Sequence, residues 1–220
     1  MRGIAVCVTC IGIALMPVAA IGQEKAQPAT APSNSADGIT LDAHQKDIVD
    51  KVSSYFSGIH TLEGSFLQTS SDNRGMKGKF YLSRPGRFRF DYARPSRQIV
   101  ISDGQYLAVE DLDLNTEDRV ELDQTPFRLL PSSDVNLIHD AQIMEVQQSD
   151  DLIVVALQDK DPNAGGQITL FLATKPELQL TAWVTKDAQG IETRIEVSDL
   201  AKGVELDADI FKIAPRAWVE

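Results

Sequence analysis

Apolar and polar side chains alternate with a period of two from residue 62 to residue 107, and the alternation restarts after every turn signal. Leu62, Gly64 and Phe66 interleave with Glu63, Ser65 and Leu67. After a polar turn at 70–75, Met76, Gly78, Phe80 and Leu82 interleave with Lys77, Lys79, Tyr81 and Ser83. Arg84-Pro85-Gly86 turns the chain, and Phe88, Phe90 and Tyr92 interleave with Arg87, Arg89 and Asp91. Arg94-Pro95 turns it again into residues 98–102, and Asp103-Gly104 closes a hairpin into 105–109. Period-two patterning bounded by Gly, Pro and Asp predicts consecutive antiparallel strands, with Asp-Gly a strong short-range hairpin signal.

The same reading extends down the chain. Residues 111–115 form a turn and 116–122 a strand. Further strands are predicted at 141–148, 152–158, 167–173, 178–186 and 191–198, with turn signals at 149–151, 161–166, Lys175-Pro176 and 188–190. That makes eleven candidate strands, and an antiparallel sheet of that size curls rather than staying flat. Residues 207–211 suggest a final turn that packs Phe211 on the sheet.

Two helical stretches interrupt the strands. Over 40–59, Asp42 followed by Gln45 resembles a capping box. Ile48, Val52, Tyr55, Phe56 and Ile59 then recur at helical spacing as one apolar stripe, with Asp47, Asp50, Lys51 and Ser54 on the wet side and Gly58 as the stop. A helix of this length needs its stripe buried to be stable, and the concave face of the sheet is its natural place. Thr125-Pro126 reads as an N-cap with proline at the first helical position. Phe127, Leu129 and Leu130 follow, Pro131 breaks the segment, and 133–140 carries Val135, Leu137 and Ile138 on a second helical pattern. The expected fold is one curled antiparallel sheet, an unclosed β-barrel of about 11 strands, covered on its concave face by one long and one or two short helices.

The chain of 220 residues begins with a short basic region at Arg2 and an apolar run over 4–16, broken by Pro17 and followed by small residues. The run is too short for a membrane span and reads as a secretory signal peptide over 1–22. Residues 23–39, rich in Ala, Pro, Ser, Asn and Gln, read as a flexible linker, and 40–220 as one domain. Both cysteines, Cys7 and Cys10, lie in the signal segment, so the mature chain has no thiol for disulfides, catalysis or metal. Cleavage leaves 20 of the 21 Lys and Arg against 32 Asp and Glu, a formal charge of −12. Such a charge disfavours nucleic acid and anionic membrane surfaces as partners.

No enzymatic constellation emerges. His44, His60 and His139 have no metal-ligand spacing, Asp111 and Asp113 lack a calcium loop, and no nucleophile elbow or phosphate loop occurs. Neither a cofactor nor a metal is expected. The large side chains on one strand face, Phe66, Phe80, Leu82, Phe88, Phe90 and Tyr92, admit two readings: a packed core, or the lining of an apolar cavity to which Ile48 and Val52 of the helix contribute. Gly64 and Gly78 on the same face would leave volume for such a cavity. Arg87 and Arg89 read as a solvated face.

The order Gly64-Ser-Phe66-x-Gln68-Thr69, Gly78-x-Phe80-Tyr-Leu82, Arg84-Pro85-x-x-Phe88-Arg-Phe90-x-Tyr92 and Ile101-Ser-Asp-Gly104 resembles the periplasmic outer-membrane lipoprotein carriers of Gram-negative bacteria. The resemblance implies an unclosed barrel under a helical lid, here residues 125–138 with Phe127, Leu129 and Leu130. It also implies a cavity for the acyl chains of lipoproteins, and Arg84 as the residue that reaches under the lid and holds its backbone. It places Phe88 at the aromatic position used in ligand transfer. The implied partners are acylated lipoproteins, an inner-membrane ABC-type lipoprotein-releasing transporter, and an acceptor or receptor at the outer membrane, with the carrier itself a monomer in the periplasm. The tail beyond Phe211 is shorter than in relatives with C-terminal extensions, which bears on how strictly transfer runs one way. An envelope-stress sensor module of the same fold is the alternative reading.

Overall fold

The computed structural model describes residues 38–125, 132, 134–160, 166–187 and 190–213. The expected signal peptide and all but the end of the linker lie outside the described residues, as do Phe127, Leu129 and Leu130. Among the described residues, eleven strands form one antiparallel sheet. The first six are β1 (Thr61–Ser70), β2 (Gly75–Ser83), β3 (Arg87–Tyr92), β4 (Gln98–Asp103), β5 (Tyr106–Asp111) and β6 (Thr116–Glu121). They are followed by β7 (Ala141–Gln148), β8 (Leu152–Asp159), β9 (Gln167–Ala173), β10 (Gln179–Lys186) and β11 (Glu192–Lys202).

The spatial order is β6-β5-β4-β3-β2-β1-β11-β10-β9-β8-β7, so two meanders meet where β1 pairs with β11. The edges β6 and β7 do not pair with each other, which leaves the barrel open. The connection between them includes a 3-10 turn, Leu122–Gln124, and a short helix α2, Leu137–Asp140. Helical structure there is shorter than the 133–140 pattern suggested, because Asn136 caps α2 by accepting from His139 N. Thr125 closes the 3-10 turn, its hydroxyl donating to the carbonyl of Leu122 at 2.8 Å.

The long helix α1 runs Ala43–Ser57, two to three residues inside the expected limits. Asp42 accepts from Gln45 N and Gln45 Oε1 accepts from Asp42 N, the reciprocal pair of a capping box. The buried face of α1 includes Ile48, Val49, Val52 and Phe56, which join a core cluster with Leu62, Phe66, Phe80, Val155, Leu170 and Trp183 on the inner face of the sheet. Fully burying an aliphatic or aromatic side chain contributes about 1.5–3 kcal/mol, so these four contacts outweigh the helix's own marginal propensity. A second cluster, Phe88, Leu107 and Leu122, occupies the β3–β5 end and shares Phe90 with the first.

The volume expected beside the glycines is filled. Gly64 faces Phe80 and Gly78 faces Phe66 in the β1–β2 register. A Cβ at Gly64 would lie 2.8 Å from the Phe80 ring, and one at Gly78 would lie 2.7 Å from Phe66 and 2.0 Å from the carbonyl oxygen of Asp91. The glycines admit aromatic rings across the strands rather than holding space for a cavity.

Arg87 and Arg89 also differ from expectation. The C-terminal 3-10 turn, Ala208–Phe211, packs on the convex face against β3 and β4. Phe211 is fully buried there, with the Arg87 guanidinium 5.8 Å from its ring centre. Arg89 donates to the carbonyl of Ile210 at 3.0 Å and pairs with Asp91 at 2.7 Å. These arginines fasten the tail to the outside of the sheet instead of facing solvent freely.

Candidate functional site

Between α1 and the inner face of the sheet lies an apolar cavity of about 80 Å³. Strand pairing assembles one wall: Leu62 faces Leu82, which faces Phe88, and Phe80 faces Phe90. The C-terminal end of α1 supplies Phe56, followed by Ile59, and the second meander supplies Ile168, Leu180 and Trp183. Among the described residues, Arg84 is the only charged side chain at this cavity.

Of the side chains singled out by alternation, Phe80, Leu82, Phe88 and Phe90 line the cavity. Phe66, Ile48 and Val52 are packed in the core around it. Tyr92 lies further along the same aromatic row and is half-buried, edge-on to Phe66 with ring centres 4.9 Å apart, and its hydroxyl donates to Gln68 Oε1. Burial pushes the Tyr92 hydroxyl up to about 12. Phe56 of α1 and Ile59 just beyond it belong to the apolar stripe visible in the sequence. The contributions of Ile168, Leu180 and Trp183 come from strands more than a hundred residues away, and only their inward phase in those strands hinted at them.

Arg84 stands at the rim, directly after β2. Its Nε donates to the carbonyl of Ile59 at 2.5 Å, Nη2 to that of Phe56 at 2.8 Å, and Nη1 to that of Ser132. One guanidinium thus joins the end of α1 to the connection between the sheet edges, a use that suits its rigid fork of five donors. The last turn of α1 contains no basic residue, so Arg84 also brings positive charge to the negative end of the helix dipole. Burial holds the guanidinium below its usual range, and it stays charged at any physiological pH.

Local turn chemistry places Arg84. Gly86 and Gly104 adopt φ +69° and +99°, and a Cβ on Gly86 would sit 2.8 Å from the Cα of Gly104, so the β2–β3 and β4–β5 turns touch. The buried Ser102 hydroxyl donates to the Gly86 carbonyl at 2.8 Å and accepts from Gly104 N at 3.2 Å, binding the two turns together. Two serines on α1 hold the neighbouring connection. Ser53 Oγ accepts from Leu137 N at 3.2 Å, and Ser57 Oγ accepts from Val135 N at 3.2 Å. Sequence reasoning missed both, because a serine in an amphipathic helix carries no mark of its partner.

Among the described residues no group of three His, Cys, Asp or Glu could hold a metal ion, and no helix is long and apolar enough to cross a membrane. Asp111 accepts backbone N–H bonds from Asp113 and Leu114 at 2.9 Å each, which accounts for that acidic turn as turn chemistry.

The chain matches the protein family described as outer membrane lipoprotein carrier protein LolA over residues 57–214. It belongs to the outer membrane lipoprotein carrier family. A carrier protein of Methylococcus capsulatus is 30% identical over 179 residues, covering 77% of this chain and 85% of that one. One from Halorhodospira halophila is 26% identical over 194 residues, covering 83% and 88%. A LolA superfamily protein of known crystal structure from Nitrosomonas europaea aligns at 13% identity with a TM-score of 0.42, over 75% of this chain and 97% of the other. The family match takes in Arg84, the cavity-lining side chains Phe80, Leu82, Phe88 and Phe90, and the whole sheet.

Proposed function

We propose that this chain is a periplasmic carrier that shelters the acyl chains of lipoproteins between α1 and the concave face of the sheet and conveys them from the inner to the outer membrane. The observation that carries the reading is an almost wholly apolar cavity whose charged rim residue, Arg84, clasps the backbone of the helix end and of Ser132. Its family relatives are named as outer-membrane lipoprotein carriers.

Energetics support it. Each methylene kept from water contributes roughly 0.8 kcal/mol, so an acylated anchor needs cover to cross an aqueous space. A cavity of about 80 Å³ is well below the roughly 300–1,000 Å³ of ligand pockets. In this reading the conformation with so small a cavity is the closed one, and loading moves α1 or the short helix α2 away from the sheet. Release without a nucleotide requires the closed empty state to lie close in free energy to the open loaded one. In this reading residues 1–22 direct export and are removed, an inner-membrane ABC-type transporter loads the monomeric carrier, and an acceptor at the outer membrane receives the cargo.

The test is transfer. The mature chain should release an acylated lipoprotein from inner-membrane vesicles into the soluble fraction and pass it to outer-membrane vesicles. A chain that stays soluble and folded yet releases none is not such a carrier.

A further inference from the structure

Trp183, on β10, lines the cavity with only 7% of its surface exposed. Leu170 and Ile195 flank it across the strands, and its ring meets Phe90 edge to face with centres 6.2 Å apart. Its Nε1 is buried and has no hydrogen-bond partner among the described residues. An indole N–H is a donor and nothing else, and buried donors are almost always satisfied. Of the other described cavity-lining side chains only Arg84 is polar, and its guanidinium is engaged by the three carbonyls at the rim.

Resting on the lipoprotein-carrier reading, we propose that the Trp183 indole N–H binds the ester or amide carbonyl at the head of an acyl chain in the loaded carrier. The hydrocarbon of such a ligand asks only for apolar surface. Its carbonyl loses water on entry and needs a donor. Ligand carbonyl and orphan indole therefore satisfy each other in the loaded state, and neither does so in the closed empty one. An interaction made in one state alone shifts the balance between the two. Arg84 makes its carbonyl bonds in the closed state, so the two polar groups of the wall act in opposite directions.

The experiment uses two fluorescent diacyl lipids that differ only in having ester or ether linkages, titrated into the mature chain and into Trp183→Phe. The wild type should bind the ester lipid about three- to tenfold more tightly, the worth of one ordinary hydrogen bond. Trp183→Phe should bring that ratio to about one, whatever the smaller ring does to the affinity for both lipids together. In ¹⁵N-labelled wild type, the indole resonance that Trp183→Phe removes, and so not that of Trp218, should move downfield with the ester lipid and not with the ether lipid. Equal ester and ether affinities together with an unmoved resonance would overturn the inference and leave the carrier reading standing. Failure of both lipids to bind the wild type would overturn both. Should Trp183→Phe not fold, the resonance in the wild type decides, its assignment then resting on through-space contacts to Phe90.

Discussion

The guanidinium of Arg84 and the carbonyl oxygen of Phe56, 28 residues apart in the chain, lie 2.8 Å apart across the rim of the cavity. This bond and its two companions tie the sheet to the end of α1 and to Ser132, the elements that part for a ligand to enter on the carrier reading proposed above. Arg84→Leu should raise the free energy of the closed empty state and leave the loaded state little changed. One hydrogen bond from a charged group is worth about 1.5–3 kcal/mol, so the ratio of loaded to empty carrier should rise by a factor of roughly 10 to 150. The purified variant should retain more lipid and deliver it to acceptor membranes more slowly. Arg84→Lys, which keeps the charge but loses the fork, should fall between. Lipid content and transfer rate equal to wild type in Arg84→Leu would make the clasp irrelevant to release.

Phe88 is 6% exposed and faces Leu82 across the β2–β3 pair in the cavity wall. Phe88→Glu should bury a carboxyl in apolar surroundings, which raises its pKa above the ordinary 4.3 or so. The neutral acid is the form the wall tolerates, so, relative to wild type at each pH, stability and acyl-probe binding should both be greater at about pH 5 than at about pH 8. Thermal melting and probe titration at the two pH values measure it. Phe88→Glu binding the probe as well as wild type at the higher pH would remove Phe88 from the binding wall.

Gly78 and Gly75 lie three residues apart at the start of β2 and should respond oppositely to alanine. A Cβ at Gly78 meets the backbone oxygen of Asp91 at 2.0 Å, where relief requires the β2–β3 pair to move; at Gly75 the nearest contact is 3.7 Å. Gly78→Ala should lose at least the 1–3 kcal/mol or so typical of overpacking. Gly75→Ala should be neutral or slightly stabilising through the unfolded chain. Denaturant unfolding of both variants checks this, and similar midpoints would mean that the close Phe66–Gly78 packing is unimportant.

Tyr92 ties stability to alkaline pH. Its hydroxyl titrates at about 12 in the folded chain because burial penalises the phenolate, against about 10 unfolded. The folded state thus holds the proton more tightly, so the contribution is fully present below about pH 10 and is lost as pH rises toward 12. Two units correspond to about 2–3 kcal/mol. Tyr92→Phe should lose less stability than wild type between those pH values. Tyr55, also raised by burial, acts in the same direction. Identical alkaline unfolding curves for the two proteins would contradict this.

How much was legible follows from where each interaction lies along the chain. Every strand pairing except β1 with β11 joins consecutive strands, so each hairpin carries its own turn residues and its own alternation. That is why eleven strands, the capping box of Asp42 with Gln45 and the inward set Phe66, Phe80, Phe88, Phe90 could be read from residues alone. The Arg84 contact was anticipated through resemblance, not through spacing.

Alternation assigns a side chain to a face and says nothing of depth. Phe66 and Phe80 share the inner face, yet one fills the space across from Gly78 in the core and the other borders the cavity. That difference depends on how the sheet curls and where α1 rests. The same holds for contacts between distant segments. Ser53 finds Leu137, Arg89 finds Ile210 and Trp183 finds Phe90 because the β1–β11 pairing brings two halves of the chain together. The sequence by itself determined the strands, their turns and their inward faces, since those rest on neighbours within a few residues. Only the tertiary structure decided which inward residues pack, which border open space and which donor is left without an acceptor, since those depend on surfaces that meet after the sheet has closed around the helix.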